Sequence, residues 1–263
     1  MTGEPAAGEP AAANAAAFYA ALAPSYDLEF LAPHRRTYDR LAWEAVTACF
    51  VGRPAPLRVV DIGCGTGRWA RVLVAAGHEV IGIEPCAEMA AATKHLPAGR
   101  FTLQPCSVDD AEVADGWADL VIAMGSLQYA PDPAAAIARA ARWLTTGGVM
   151  AVLVDSLGGL VLELVARGDR EQAALRAATH RARWQRNGLD VEYHLFDSST
   201  LDAAMTAAGL EQVELTGLLV SSSVCDRDAL GFEGRDLEIE RALSHVPSLT
   251  DGAKQLLAIG RRA

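Results

Sequence analysis

The stretch Leu57-Arg58-Val59-Val60-Asp61-Ile62-Gly63-Cys64-Gly65-Thr66-Gly67 constrains this chain more than any other. A short β-branched run opens into three glycines and then into an amphipathic helix that reaches Ala76 and stops at Gly77. Glycine at 63, 65 and 67 lets the backbone turn tightly and lets a ligand approach with no Cβ in the way. The helix that starts there offers free N–H groups and the positive end of its dipole. The pattern then repeats. Strands are expected at Val80–Glu84, Phe101–Cys106, Asp119–Met124 and Gly148–Val154, with helices at Cys86–Leu96 and Pro133–Leu144 between them. Strands alternating with helices imply parallel βαβ units whose sheet is covered on both faces.

The remainder of the chain dresses this core. Residues 1–13 read as a disordered tail of Ala, Gly, Glu and Pro. A helix is expected over Asn14–Leu22, with Phe18, Tyr19 and Leu22 on one side, and is interrupted at Pro24; Tyr26-Asp27 then reads as a linking segment. A second helix covers Arg35–Phe50 and ends at Gly52-Arg53-Pro54. After Asp155 the alternation pauses. Leu157, Leu160, Val161, Leu164 and Val165 follow helical spacing behind Asp155 or Ser156 as N-cap, and an arginine-rich helix is expected from Glu171 to about Arg186, closed by Asn187-Gly188. This gives one domain over 14–156 and 190–263, interrupted by a helical insertion over 157–189. The insertion starts at the carboxyl edge of the sheet, so it is expected to cover a substrate site, with Gly158-Gly159 and Arg167-Gly168 as joints. The rhythm returns with Tyr193–Phe196, a helix at Thr200–Ala208, a strand at Leu210–Leu219, a helix at Asp236–Ser244 and a strand at Gln255–Gly260.

Two kinds of ligand suit such a loop, a dinucleotide and another adenosyl compound. The dinucleotide fingerprint wants its third small residue at position 68, which is arginine here. Asp61 at the strand end would face a pyrophosphate with like charge, and it suits a ligand carrying an ammonium group. Glu84, which ends the second strand, can accept both hydroxyl protons of a ribose. That role is common to both ligand kinds, so Glu84 alone does not separate them.

The run Val59–Gly67 resembles the first motif of the class I S-adenosylmethionine-dependent methyltransferases. Ile83-Glu84-Pro85 sits where that family carries its ribose-binding acid, and Ala118–Tyr129, Leu144–Leu153, Leu210–Gly217 and Gln255–Arg261 are similar to its later strands. The resemblance implies an α/β fold with a Rossmann-like, seven-stranded, mostly parallel sheet, helices on both faces and added amino-terminal helices. It implies S-adenosylmethionine as cofactor and S-adenosylhomocysteine as product. Gly63, Gly65 and Gly67 would line the methionine part with Asp61 near its ammonium. Glu84 would hold the ribose, and Pro85, Ser107 and Val108 would flank the adenine. Met124 and Gly125 would pass close to the sulfonium, and Tyr19 and Tyr26 resemble the tyrosines that close over the cofactor.

The implied reaction is methyl transfer to an N, O or C nucleophile of a small molecule, in bacterial specialised metabolism. Another adenosyl-ligand reaction and a non-catalytic cofactor-binding protein are the alternatives, since fold alone does not fix function. Such transfer rests on alignment and exclusion of water, with a base needed only for a protonated nucleophile. Candidates for that base or for substrate contact are His34, His194, Gln128 and Tyr129; His78 and His95 read as solvated. Asp155 could touch substrate or cap a helix. The arginines from Arg176 to Arg186 read as a solvated helix face, with carboxylate binding as the sharper alternative. A formal charge of −10 argues against nucleic acid as partner. No metal-ligand spacing is present, and Cys49, Cys64, Cys86, Cys106 and Cys225 read as free thiols. A cytoplasmic monomer or homodimer without a membrane span is the expectation.

Overall fold

A computed structural model describes residues 11–53, 55–186, 188–221 and 234–263. Residues 1–10 of the expected tail, Pro54, Asn187 and Cys225 lie outside the described residues. The first helix starts earlier than expected: α1 spans Ala11–Leu22, so residues 11–13 are helical and not tail. Alanine has the highest helix propensity of all residues, and here it extends the helix amino-terminally. α2 (Tyr26–Glu29) turns the presumed linking segment into a short helix, and α3 (Pro33–Ala48) follows.

The central sheet contains β1 (Arg58–Ile62), β2 (Glu79–Ile83), β3 (Phe101–Gln104), β4 (Ala118–Met124) and β5 (Leu144–Asp155), later joined by β8 (Leu210–Leu218) and β9 (Gln255–Arg262). Its order is β3-β2-β1-β4-β5-β9-β8, seven strands as expected. β1 to β5 run parallel, while β9 lies antiparallel between β5 and β8. The period of two along each strand sorts residues onto two cores. Leu120 and Ile122 face the side of Leu41 and Leu73, which come from α3 and from α4 (Arg68–Ala75). Val121 and Ala123 face Ile137 of α6 (Pro133–Arg142) and Leu201 of α9 (Ser198–Ala207). Because both faces are covered, the strands read as near-continuous apolar runs. The short α5 (Ala87–Ala91) and α10 (Arg235–Ser244) complete the helices of the main body. His78, expected to be solvated, is buried here, and its Nδ1 accepts the Leu57 amide at 3.1 Å.

The insertion differs from its expected form. α7 (Leu157–Ala166) and α8 (Arg170–Thr179) are helical, but 181–186 is a strand, β6 (Arg181–Arg186). It pairs antiparallel with β7 (Leu189–His194) in a separate two-stranded sheet. The physical reason lies in the sequence: Ala182 and Trp184 alternate with polar residues, Val191 and Tyr193 do the same, and Asn-Gly stands between them. Alternation around Asn-Gly is a hairpin signal, and as a helix this stretch would scatter its apolar residues over several faces. α1 caps the hairpin through Phe18, whose ring lies 4.9 Å from that of Trp184.

Gly158 and Gly159 serve close packing. A Cβ on Gly159 would stand 1.9 Å from the Ala253 carbonyl oxygen, so only glycine lets α7 rest on that backbone. The N-cap is Ser156, which accepts from the Gly159 amide and donates to the Asp251 carbonyl at 3.0 Å. Asp155 is thereby released from capping. The apolar spacing of α7 does not describe its buried side: Leu162 and Val165 are exposed, while Glu163 is buried and paired with Lys254 at 2.7 Å.

Candidate active site

The turn after β1 is built by backbone. The amides of Gly63 and Cys64 both donate to the Ile83 carbonyl, at 2.7 and 3.0 Å, which fastens the loop to the end of β2. Gly63 has φ +66°, and a Cβ there would lie 2.3 Å from Cβ of Ser126. Ser126 itself donates to the Ile62 carbonyl at 2.5 Å, tying the end of β4 to the same turn. Glu84 is held in place by two amides: Oε2 accepts from Gly65 and Oε1 from Cys86, each at 2.8 Å. Burial raises its pKa, and those two amides work against the rise.

Asp61 is only 2% exposed, and Oδ2 is without a hydrogen-bond partner among the described residues. Burial, and then the charge of Glu84, push its carboxyl up to about 7. A buried carboxylate oxygen without a donor is costly. A cationic group entering the recess would remove that cost. Asp61 lines this recess with Tyr26, Tyr38 and Arg68. Arg68 is not the missing partner: it pairs with Asp39 and stacks on the Phe30 ring.

The recess adjoins an inner cavity at the carboxyl ends of β1, β2 and β4, sharing Tyr26, Gly63, Gly65 and Met124 with it. Of the residues expected to hold a cofactor, Gly63, Gly65, Glu84 and Pro85 line one wall of the inner cavity. Ser107, Val108, Met124 and Gly125 line another, and Tyr19 and Tyr26 close it from α1 and α2. Gly67 does not line a cavity described here. It caps α4 with φ +81° and is packed beneath Thr93 and Leu96, so its lack of a side chain serves helix packing.

A second, outer cavity of about 540 Å³ adjoins the inner one and shares Tyr19, Tyr26, Met124, Gly125 and Tyr129 with it. His34, Gln128 and Tyr129, three of the candidates for substrate contact, line it. His194 does not. Successive strand residues point to opposite faces, and it is Tyr193 that enters the cavity, while His194 bonds to the Pro131 carbonyl. Burial, then the charge of Arg181, lower the pKa of His194. Gln128 is buried and accepts the Asp155 amide at 2.8 Å, which couples the ends of β4 and β5. Burial raises the pKa of Tyr129, and the neighbouring Asp155 adds to it.

Several cavity residues escaped the sequence reading. Arg35, Lys254 and the hairpin residues Trp184 and Tyr193 come from three distant segments, and no local motif links them. Asp155 is fixed by Tyr193, Gln128 and Gln255, and burial raises its pKa. Leu160 and Leu164 of α7 and Arg176 of α8 lie on the same cavity. The inserted segment therefore borders it through both helices and the hairpin.

The family model described as "Methyltransferase domain" matches residues 31–215, well over half of the chain. Among curated proteins, a trans-aconitate 2-methyltransferase from Acidovorax sp. (strain JS42) is 34% identical over 145 residues, which cover 50% of this chain and 53% of the relative. The chain thus spans about half the length of that relative. Among solved structures, a SAM-dependent methyltransferase from Thermotoga maritima, titled a possible histamine N-methyltransferase, matches with a TM-score of 0.60 at 18% identity, over 94% of this chain and 99% of the other. The 1,6-didemethyltoxoflavin-N1-methyltransferase of Burkholderia thailandensis, crystallised with bound 1,6-didemethyltoxoflavin and S-adenosylhomocysteine, gives a TM-score of 0.59 at 16% identity, over 100% of this chain and 93% of the other. At these identities the structural likeness is one of fold.

Proposed function

This chain belongs to the class I S-adenosylmethionine-dependent methyltransferase family, and on that premise we propose that it methylates an N, O or C nucleophile of a small molecule held in the outer cavity. When bound, S-adenosylmethionine supplies an electrophilic methyl group on its sulfonium. The observation that carries the reading is Asp61, whose buried Oδ2 is without a partner among the described residues and which feels the charge of the amide-held carboxylate of Glu84. Asp61 would receive the ammonium of the methionine part and Glu84 the ribose hydroxyls. Asp61 disfavours a pyrophosphate at this turn, as does arginine at position 68. Pro85, Ser107 and Val108 would border the adenine.

The five residues common to both cavities mark the passage between cofactor and substrate. Tyr19, Tyr26 and Tyr129 bring three phenols to it, each with a pKa raised above its ordinary value by burial first. They stay protonated at neutral pH and can orient a nucleophile by hydrogen bonding. Asp155, which lines the outer cavity and is hydrogen-bonded by Tyr193, Gln128 and Gln255, is the carboxylate that would take a proton from a protonated nucleophile. The inserted segment over 157–194 acts as the substrate cover, which keeps water from the passage.

Calorimetry tests the cofactor assignment. S-adenosylhomocysteine should bind, and NAD and NADP should not. Glu84→Ala should weaken adenosyl binding by roughly 1–3 kcal/mol, the usual cost of leaving polar partners unsatisfied. Unchanged affinity in that variant would remove the ribose assignment.

A further inference from the structure

We infer that the substrate carries an acidic oxyanion group, a carboxylate or a phosphoryl ester, held in the outer cavity by Arg35 and Arg176; this rests on the methyltransferase reading above. The chain as a whole is strongly acidic, with a formal charge of −10. The outer cavity reverses that sign, since five guanidinium or ammonium groups line it against three carboxylates. Burying like charges together is expensive unless each is paired, so the partners of each cation decide what the cavity can accept.

Three of the five cations are already matched. Arg186 pairs with Glu29 at 2.6 Å, and Lys254 and Arg167 both pair with Glu163. The two remaining cations are Arg35 and Arg176, and neither has a carboxylate within ion-pair distance among the described residues. Arg35 sits among Tyr38, Tyr26 and Tyr19, with Asp155 as the acid that influences it from beyond contact. Its guanidinium lies 5.2 Å from the centre of the Phe30 ring. Arg176 makes one long contact, 3.5 Å to the Leu160 carbonyl. Asp155, the third carboxylate, is occupied by the neutral donors of Tyr193, Gln128 and Gln255.

The cavity thus contains two guanidinium groups that offer planar donor forks, and guanidinium forks match carboxylate and phosphate oxygens. They belong to different layers of the molecule, Arg35 to α3 beneath and Arg176 to the inserted cover above. An anionic group that meets both would join cover to body when it binds. A neutral or cationic substrate would leave both guanidinium groups without an anionic partner.

The test uses the full-length protein loaded with S-adenosylhomocysteine, and three probes that share one ring: benzoate, phenyl phosphate and benzamide. Calorimetry should show binding of at least one charged probe, with benzamide weaker by about tenfold or more. Tighter binding of benzoate identifies the group as a carboxylate, and tighter binding of phenyl phosphate as a phosphoryl ester. Arg35→Gln and Arg176→Gln should each reduce the charged probe's affinity at least about fivefold and leave S-adenosylhomocysteine affinity unchanged. Retained S-adenosylhomocysteine binding shows that each variant is folded, and Arg176→Gln on the cover spares the body in any case. Benzamide binding as tightly as the charged probes, or silence of both charged probes at millimolar concentration, overturns the inference. Failure of S-adenosylhomocysteine itself to bind instead overturns the methyltransferase reading.

Discussion

The inner and outer cavities share a wall and are made in opposite ways. The inner one is shaped by backbone: Gly63, the Gly65 and Cys86 amides on Glu84, and the tie from Ser126 to Ile62. Its charged group is a carboxylate, Glu84, and the adjoining recess adds another, Asp61. The outer one is shaped by side chains from α3, β5, the insertion and β9, and its excess charge is positive. A ligand common to a whole family can be met by a fixed backbone, whereas a ligand particular to one member calls for side chains that can be exchanged without disturbing the turn.

If the inner cavity is as rigid as this, Gly63→Val should be the most damaging single change. The new Cβ meets Ser126, and the residue must keep a positive φ, together costing about 2–4 kcal/mol. Thermal melting and S-adenosylhomocysteine calorimetry should both register it. Full affinity in that variant would show that the turn can yield.

Asp61→Asn sharpens the contrast further, because it should separate binding from stability. Loss of the charged partner should weaken S-adenosylhomocysteine by about 1.5–3 kcal/mol. The ligand-free protein should behave in the opposite way. The carboxyl's value in the fold, about 7, lies above its ordinary value of 3.8. Its contribution to stability is therefore present below about pH 4 and lost as pH rises through about 7. At pH 8 the Asn variant should melt higher than the parent, while at pH 4 the two should converge. Since the ammonium pairs with the ionised form, parental affinity should also fall below pH 7, by up to about tenfold per unit. A flat profile between pH 6 and pH 8 argues against Asp61 as that partner.

The smallest effect expected on the cofactor comes from the cover. Leu160→Ser or Leu164→Ser should leave S-adenosylhomocysteine affinity within about twofold and reduce turnover of the true substrate, since each removes apolar surface from the outer cavity alone. Equal losses in both readouts would mean that the two cavities are one site energetically.

What could be read from the sequence follows the same division. The turn from Asp61 to Gly67 and the acid at Glu84 are local features, in which spacing and residue type already fix the geometry. The outer cavity has no such local record. Arg35 and Lys254 are separated by most of the chain, and only the sheet order brings them together. His194 is one residue out: the expected strand Tyr193–Phe196 is β7 (Leu189–His194), paired in the hairpin, and its alternation turns Tyr193 to the cavity and His194 away. The hairpin is hidden because Asn187-Gly188 also reads as a helix stop, although the alternation on either side belongs to paired strands. Gly67, grouped with its two neighbours by spacing, belongs to the packing of α4.

The position of β9 also sets an order in time. It follows β8 in the chain but lies between β5 and β8, so β8 has no partner until 255–262 have been made. Every residue lining the inner cavity falls within 15–130, whereas the outer cavity needs Lys254 and Gln255. A chain emerging from the ribosome therefore exposes the lining of the inner cavity first and completes that of the outer cavity only when β9 begins.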